Sequence, residues 1–121
     1  MKAVLLELLG QRLPLPGVAA WAARLPDMSL VHHAYSDWFN GPQLEQIAGR
    51  LALAAEGLSA HGLQPVRLSW VFEHARIHLA LRRDGACLAF FLENRQGPPS
   101  AKIEAVFDEF GSLSAQQAPP P

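Results

Sequence analysis

The segment PVRLSWVFEHARIHLALRRDGACLAFFLEN, residues 65–94, decides the fold. Val66, Leu68, Trp70 and Phe72 alternate with Arg67, Ser69 and Glu73, broken only by the apolar Val71. A period of two sends successive side chains to opposite faces, so this run reads as a half-buried strand. Ile77, Leu79 and Leu81 then alternate with Arg76, His78 and Arg82, which makes a second strand of the same kind. The Asp84-Gly85 pair that follows has the chemistry of a tight hairpin turn whose central residues need positive φ. Residues 87–92 are apolar at every position. A strand apolar on both sides needs cover on both faces, so it belongs at the centre of the sheet.

Upstream, residues 42–61 read as a long helix. Asn40 or Gly41 stands at its N-cap, Pro42 is in the first turn where proline is tolerated, and Gly62 stops it. At 100° per residue Leu44, Ile47, Leu51, Ala54, Ala55 and Leu58 form one apolar stripe that should pack on the sheet. The other side carries Gly49, Ala52, Leu53, Glu56, Gly57 and Ala60, mostly small or apolar where a solvated face would be charged. Two glycines inside a helix cost about 1 kcal/mol each relative to alanine. Close approach of another helix is the natural reason to keep them.

The remaining segments complete an α+β order. Residues 18–25 and 29–35 read as a hairpin across a Pro26-Asp27-Met28 turn, since eight residues between Gly17 and Pro26 is strand length. Residues 2–12 form a short amphipathic helix with Val4, Leu5, Leu8 and Leu9 on one side, ended by Leu13-Pro14-Leu15-Pro16-Gly17. Ser100 caps a last helix whose Ile103, Val106, Phe107, Phe110 and Leu113 make a clear stripe. Residues 114–121, SAQQAPPP, read as a disordered tail after a single domain of residues 1–113. The expectation is a five-stranded, mostly antiparallel sheet in the order α-β-β-α-β-β-β-α, with helices on both faces.

Composition narrows the function classes. Of 121 residues 50% are hydrophobic and 17% charged, which suits one globular core. A formal net charge of −1 offers no broad basic field for nucleic acid or an anionic membrane. The apolar run after Lys2 is interrupted at Glu7, too soon for a signal peptide, and no window approaches the roughly 20 apolar residues of a membrane helix. The one cysteine, Cys87, falls in the apolar strand and reads as a buried inert thiol, so a cytoplasmic location is expected.

Reaction chemistry is missing from the pattern. His32 and His33 are adjacent and on a strand point to opposite faces; His74 and His78 straddle or follow a turn with no cysteine or carboxylate at ligand spacing. Gly41-Pro42 and Gly97-Pro98-Pro99 offer proline where a phosphate loop needs backbone donors, and no Gly-x-Ser-x-Gly occurs. Glu45, Glu56, Glu104, Asp108 and Glu109 read as charged helical faces. Trp21, Trp38 and Trp70 with Arg67, Arg82 and Arg83 could suggest base stacking, but the near-neutral charge and the apolar neighbours of Trp70 favour core packing. Neither an enzyme nor a cofactor is expected.

With these elements in order, the chain resembles the roadblock family, which includes dynein roadblock light chains and bacterial MglB-like regulators. The resemblance is carried by Leu15-Pro16-Gly17-Val18, the alanine- and leucine-rich helix 44–58, Trp70-Val71-Phe72-Glu73, the Arg83-Asp84-Gly85 turn and the closing helix, over residues 4–113. The Pro26-Asp27-Met28-Ser29 turn departs from the Asp-x-x-Gly turn common in that family. The resemblance implies a non-catalytic homodimer in which the long helices pair and the third strands join two sheets. It also implies a partner that is a small Ras-like GTPase or an adaptor protein. Carried onto this chain, the interface falls on Gly49, Ala52, Leu53, Glu56 and Ala60 of the helix and on Ser69, Val71 and Glu73 of the edge strand. A PAS- or profilin-like ligand-binding sensory module and a type III secretion chaperone are the alternatives; a cavity between sheet and helix would favour the sensor.

Overall fold

The structure is a computed structural model that describes residues 1–37, 39–62, 67–93 and 100–113, except the side chains of Ser59, Ala60 and Ser100. The reading of 114–121 as a tail lies outside the described residues. The elements are α1 (Lys2–Arg12), β1 (Val18–Arg24), β2 (Leu30–Ala34), α2 (Gly41–Ala60), β3 (Arg67–Val71), β4 (Ala75–Leu81), β5 (Cys87–Glu93) and α3 (Ser100–Ser112). They form one five-stranded sheet in the order β2-β1-β5-β4-β3, every ladder antiparallel. The all-apolar β5 is the central strand, as its lack of alternation requires.

Two cores lie on either side of the sheet. On one face α1 and α3 bury Leu5, Leu9, Val106, Phe107 and Phe110 against Trp21, Leu88 and Phe90, with the Phe90 and Phe107 rings stacked at 5.2 Å. On the other face α2 packs mainly on β1 and β2, with Leu44, Ala48, Leu51, Ala52 and Ala55 against Ala20, Ala22, Ala89 and Phe91.

The buried face of α2 is rotated from the expected stripe. Ala48 and Ala52 turn inward, while Ala54 and Leu58 are exposed. The reason lies in β1, whose α2-facing side chains are Ala20 and Ala22. A sheet floored with methyl groups is filled best by a helix that presents its own small residues and comes close. The largest hydrophobes were expected to mark the inner face; here the smallest do.

Turns follow local chemistry with one difference from expectation. At the β4–β5 hairpin Arg82 N donates to Ala86 O at 2.9 Å, so the loop has three residues, and only Gly85 has positive φ (89°). This is the three-residue loop that ends in a left-handed glycine, rather than a two-residue turn with two positive φ values. Asp84 Oδ1 accepts from Ala86 N at 3.0 Å, and Asp84 Oδ2 pairs with Arg82 at 3.0 Å. At the β1–β2 turn Met28 has φ 74°, and the Asp27 carboxylate accepts from both Ser29 N and Ser29 Oγ. Those hydrogen bonds hold the Asp27 carboxyl below its ordinary pKa.

Candidate functional site

Two side-chain contacts tie α2 to the sheet. Glu45 Oε1 lies 3.2 Å from His32 Nε2 on β2, and Glu56 Oε1 lies 2.7 Å from Arg24 at the end of β1. Arg24 is otherwise buried, and its Nε and Nη2 donate to Gly85 O at 3.1 and 3.0 Å, so one guanidinium ties helix, strand and hairpin together. At the N-terminus Asn40 and Gln43 exchange hydrogen bonds between side chains and backbone amides in a capping box. His32 packs so closely here that a Cβ on Gly41 would meet its Cε1 at 2.8 Å.

These anchors assign the two flanks of the helix. Glu45, Gly49, Ala52 and Glu56 follow one another at helical spacing and lie on the β2–β1 side. Ile47, Ala54 and Leu58 occupy the opposite flank, which turns toward β4 and β3. There the sheet is incompletely covered: Leu68 and Trp70 are only partly buried, and Phe72 is 51% exposed. On the crest of the helix Leu53 is 67% exposed, and Val71 at the open sheet edge is 76% exposed. Among the described residues the result is an apolar strip from the outer flank of α2 across the partly covered face of the sheet to the edge strand β3.

The residues expected at an interface therefore separate. Ala52 is fully buried beneath α2 and has no surface to offer, which corrects its placement on the outer face. Gly49 and Glu56 lie on the flank away from β3, and Glu56 is held by Arg24. A Cβ on Gly49 would meet nothing within 4 Å among the described residues, so no contact of this kind explains its glycine. The side chain of Ala60 lies outside the described residues. Ser69, Val71 and Glu73 sit along the open edge or at its end. Phe72 N donates to Ala75 O at 2.8 Å, and the β3–β4 register then leaves the backbone groups of Arg67, Ser69 and Val71 pointing outward. The strip residues Leu68, Trp70 and Phe72 are visible in the sequence as the apolar half of the alternation. Which half a helix leaves uncovered is not.

The polar side of β3 is a charged and hydrogen-bonded surface. Arg67 pairs with Glu104 at 3.4 Å and Asp108 at 3.2 Å, and lies over the Phe107 ring. Ser69 Oγ is 2.7 Å from Nδ1 of its cross-strand partner His78. Burial lowers the pKa of His78, the Arg76 charge adds to that, and Glu104 opposes it. Among the described residues no hydrogen bond or ion pair joins a carboxylate to this ring, so the contact is a cross-strand pair and lacks the orienting acid of a nucleophilic triad.

The histidine pair divides between faces as its adjacency requires, His32 on α2 and His33 edge-on to Tyr35 at 4.7 Å. Among the described residues no group of three or more His, Cys, Asp or Glu could hold a metal ion. No described helix is long and apolar enough to cross a membrane. Cys87 is buried in β5, and burial pushes its thiol pKa up.

No family model and no curated protein matches the chain. Solved structures do. A gliding protein, MglB, from Thermus thermophilus superposes with a TM-score of 0.68 at 15% identity, over 89% of this chain and 83% of that one. A second MglB structure, described as having a tetrameric arrangement, gives 0.67 at 15% identity, over 91% and 84%. A Roadblock/LC7 domain from Streptomyces avermitilis gives 0.58 at 12% identity, over 90% and 92%. The chain has the roadblock fold.

Proposed function

We propose that the protein is a non-catalytic regulator or scaffold of a small Ras-like GTPase or a related signalling complex, and that it works as a homodimer. The observation that carries this reading is the apolar strip of Leu58, Trp70 and Phe72 leading to an open β3 edge with Val71 exposed. A long exposed edge is a hazard that soluble proteins cover or pair, and a second copy related by a two-fold axis covers it with the same strip. In the dimer β3 meets β3 through the backbone of Arg67, Ser69 and Val71, with Glu73 at the strand end. Ile47, Ala54, Leu58 and the crest residue Leu53 then face the partner's α2. The roadblock fold and the MglB structures support the choice of a GTPase as client, because the resemblance implies that role.

Light scattering and sedimentation on the purified chain should give a dimer, and Phe72→Asp should give a folded monomer. Cells expressing the tagged chain should yield a small GTPase on affinity purification, and the Phe72→Asp variant should lose it. A wild-type chain that sediments as a monomer at tens of micromolar would remove the dimer. A dimer that never recovers a nucleotide-binding partner would remove the client.

A further inference from the structure

The opposite edge of the sheet carries a second surface, independent of the β3 strip. Tyr35 N donates to Ala19 O at 2.7 Å and Leu25 N to Ser29 O at 2.8 Å, so in the β1–β2 register His33 and Val31 also bond inward. The backbone N–H and C=O groups of Leu30, His32 and Ala34 therefore point away from the sheet, and no backbone bond to another element involves them among the described residues. Beside this edge, on the α1 face, lies a groove of about 470 Å³. Leu6, Leu9 and Leu13 of the α1 segment form one wall, and Val31, His33 and Tyr35 of β2 form the other. Trp21 is its floor, and its Nε1 donates to the Tyr35 hydroxyl at 3.2 Å, leaving that hydroxyl a proton to donate outward.

We propose that β2 and this groove bind an extended peptide segment of another protein by strand addition. Free backbone donors and acceptors at alternate residues are satisfied by one type of ligand, another strand. Side chains of that strand alternate, so every second one drops into the groove and should be a medium-sized apolar residue. Those between them face His32 and Glu45 on the α2 side and should be polar. The size of the surface selects a peptide over a second copy of this chain. Five residues span about 16 Å, and a strip one strand wide falls well short of the roughly 1,000 Å² that a stable association of folded domains buries. A short peptide held by main-chain hydrogen bonds needs no more.

The test is display of random dodecapeptides on phage, panned against the intact chain, with Ala34→Pro and Leu6→Gln as comparison targets. Proline at 34 removes an outward N–H and no bond of the β1–β2 ladder, a change that edge strands tolerate. Leu6 is an exposed groove wall, so its variant should fold. The expected result is enrichment of sequences apolar at alternate positions. A synthetic copy of the most enriched should bind each variant at least tenfold more weakly and slow hydrogen exchange at Leu30, His32 and Ala34. No enrichment above the Ala34→Pro background, or equal binding to wild type and both variants, would overturn the proposal. So would an Ala34→Pro chain whose sedimentation alone changes, since the edge would then belong to a second copy.

Discussion

The two edges of this sheet pose the same problem and answer it differently. Each presents three residues' worth of outward N–H and C=O groups, Arg67, Ser69 and Val71 on β3 and Leu30, His32 and Ala34 on β2. On β3 the neighbouring surface is broad and apolar among the described residues, with Phe72 and Val71 largely exposed and Trp70 only partly buried. On β2 the helix covers the strand's inner face, His32 is paired with Glu45, and what remains apolar is a narrow groove. Where α2 sits makes the difference. Because it packs over β1 and β2, it shelters one edge and strips the other, so one is suited to a folded domain and the other to a peptide.

The largest expected effect sets the baseline that neither edge should reach. Phe91 is fully buried in β5 beneath α2, and Phe91→Ala should lower unfolding free energy by about 3–5 kcal/mol in urea titration. A loss below about 1.5 kcal/mol would mean that the centre is no more structural than the edges. Next come matched prolines. Val71→Pro removes an outward donor from β3 and should raise the dimer dissociation constant at least 100-fold, about 2.7 kcal/mol. Ala34→Pro on β2 should leave that constant within a factor of two. Equal effects in sedimentation equilibrium would erase the distinction between the edges.

The anchors that hold α2 over β2 come third. Glu56→Gln leaves the buried Arg24 with Gly85 O as its remaining strong acceptor among the described residues and should cost about 1–2 kcal/mol, less than a fully buried pair because Glu56 is half exposed. Fourth is acid sensitivity at β3. The folded pKa of His78 is depressed, so below the ordinary histidine value the unfolded chain takes up that proton first. Stability is therefore lost as pH falls from about 6.5 through the lower folded value, and His78→Gln should flatten this part of a urea midpoint-versus-pH curve. A steeper curve for the variant would reverse the sign assigned here. Smallest is Gly49→Ala, which should raise stability by about 0.5–1 kcal/mol, since a Cβ meets nothing within 4 Å. Its dimer constant should not change; a weakened dimer would put the β2-side flank of α2 into the interface.

Much of this could be read from residues alone, and where reading failed the failure is instructive. Strand positions in β3, β4 and β5 followed from alternation and its absence, and the stripe of α3 from Ile103, Val106, Phe107 and Phe110. The stripe of α2 was misjudged at Ala52, Ala54 and Leu58, because a helical wheel weighs side chains by hydrophobicity and cannot know what floor they meet. Of the residues expected at an interface, Ser69, Val71 and Glu73 fall at the open edge, Leu53 on the crest of α2, Gly49 and Glu56 on the far flank and Ala52 in the core.

Local patterns by themselves determined the eight elements, their order and the central place of β5. These depend on interactions a few residues apart: period, caps, turns and the cover an all-apolar strand demands. Tertiary structure alone decided which way α2 faces and hence which edge of the sheet is sheltered. That choice rests on alanines in β1 meeting alanines in α2, and on Arg24 meeting Glu56, 32 residues on. Contacts of that range have no periodicity to betray them, and they place the surfaces proposed here for a second copy and for a peptide.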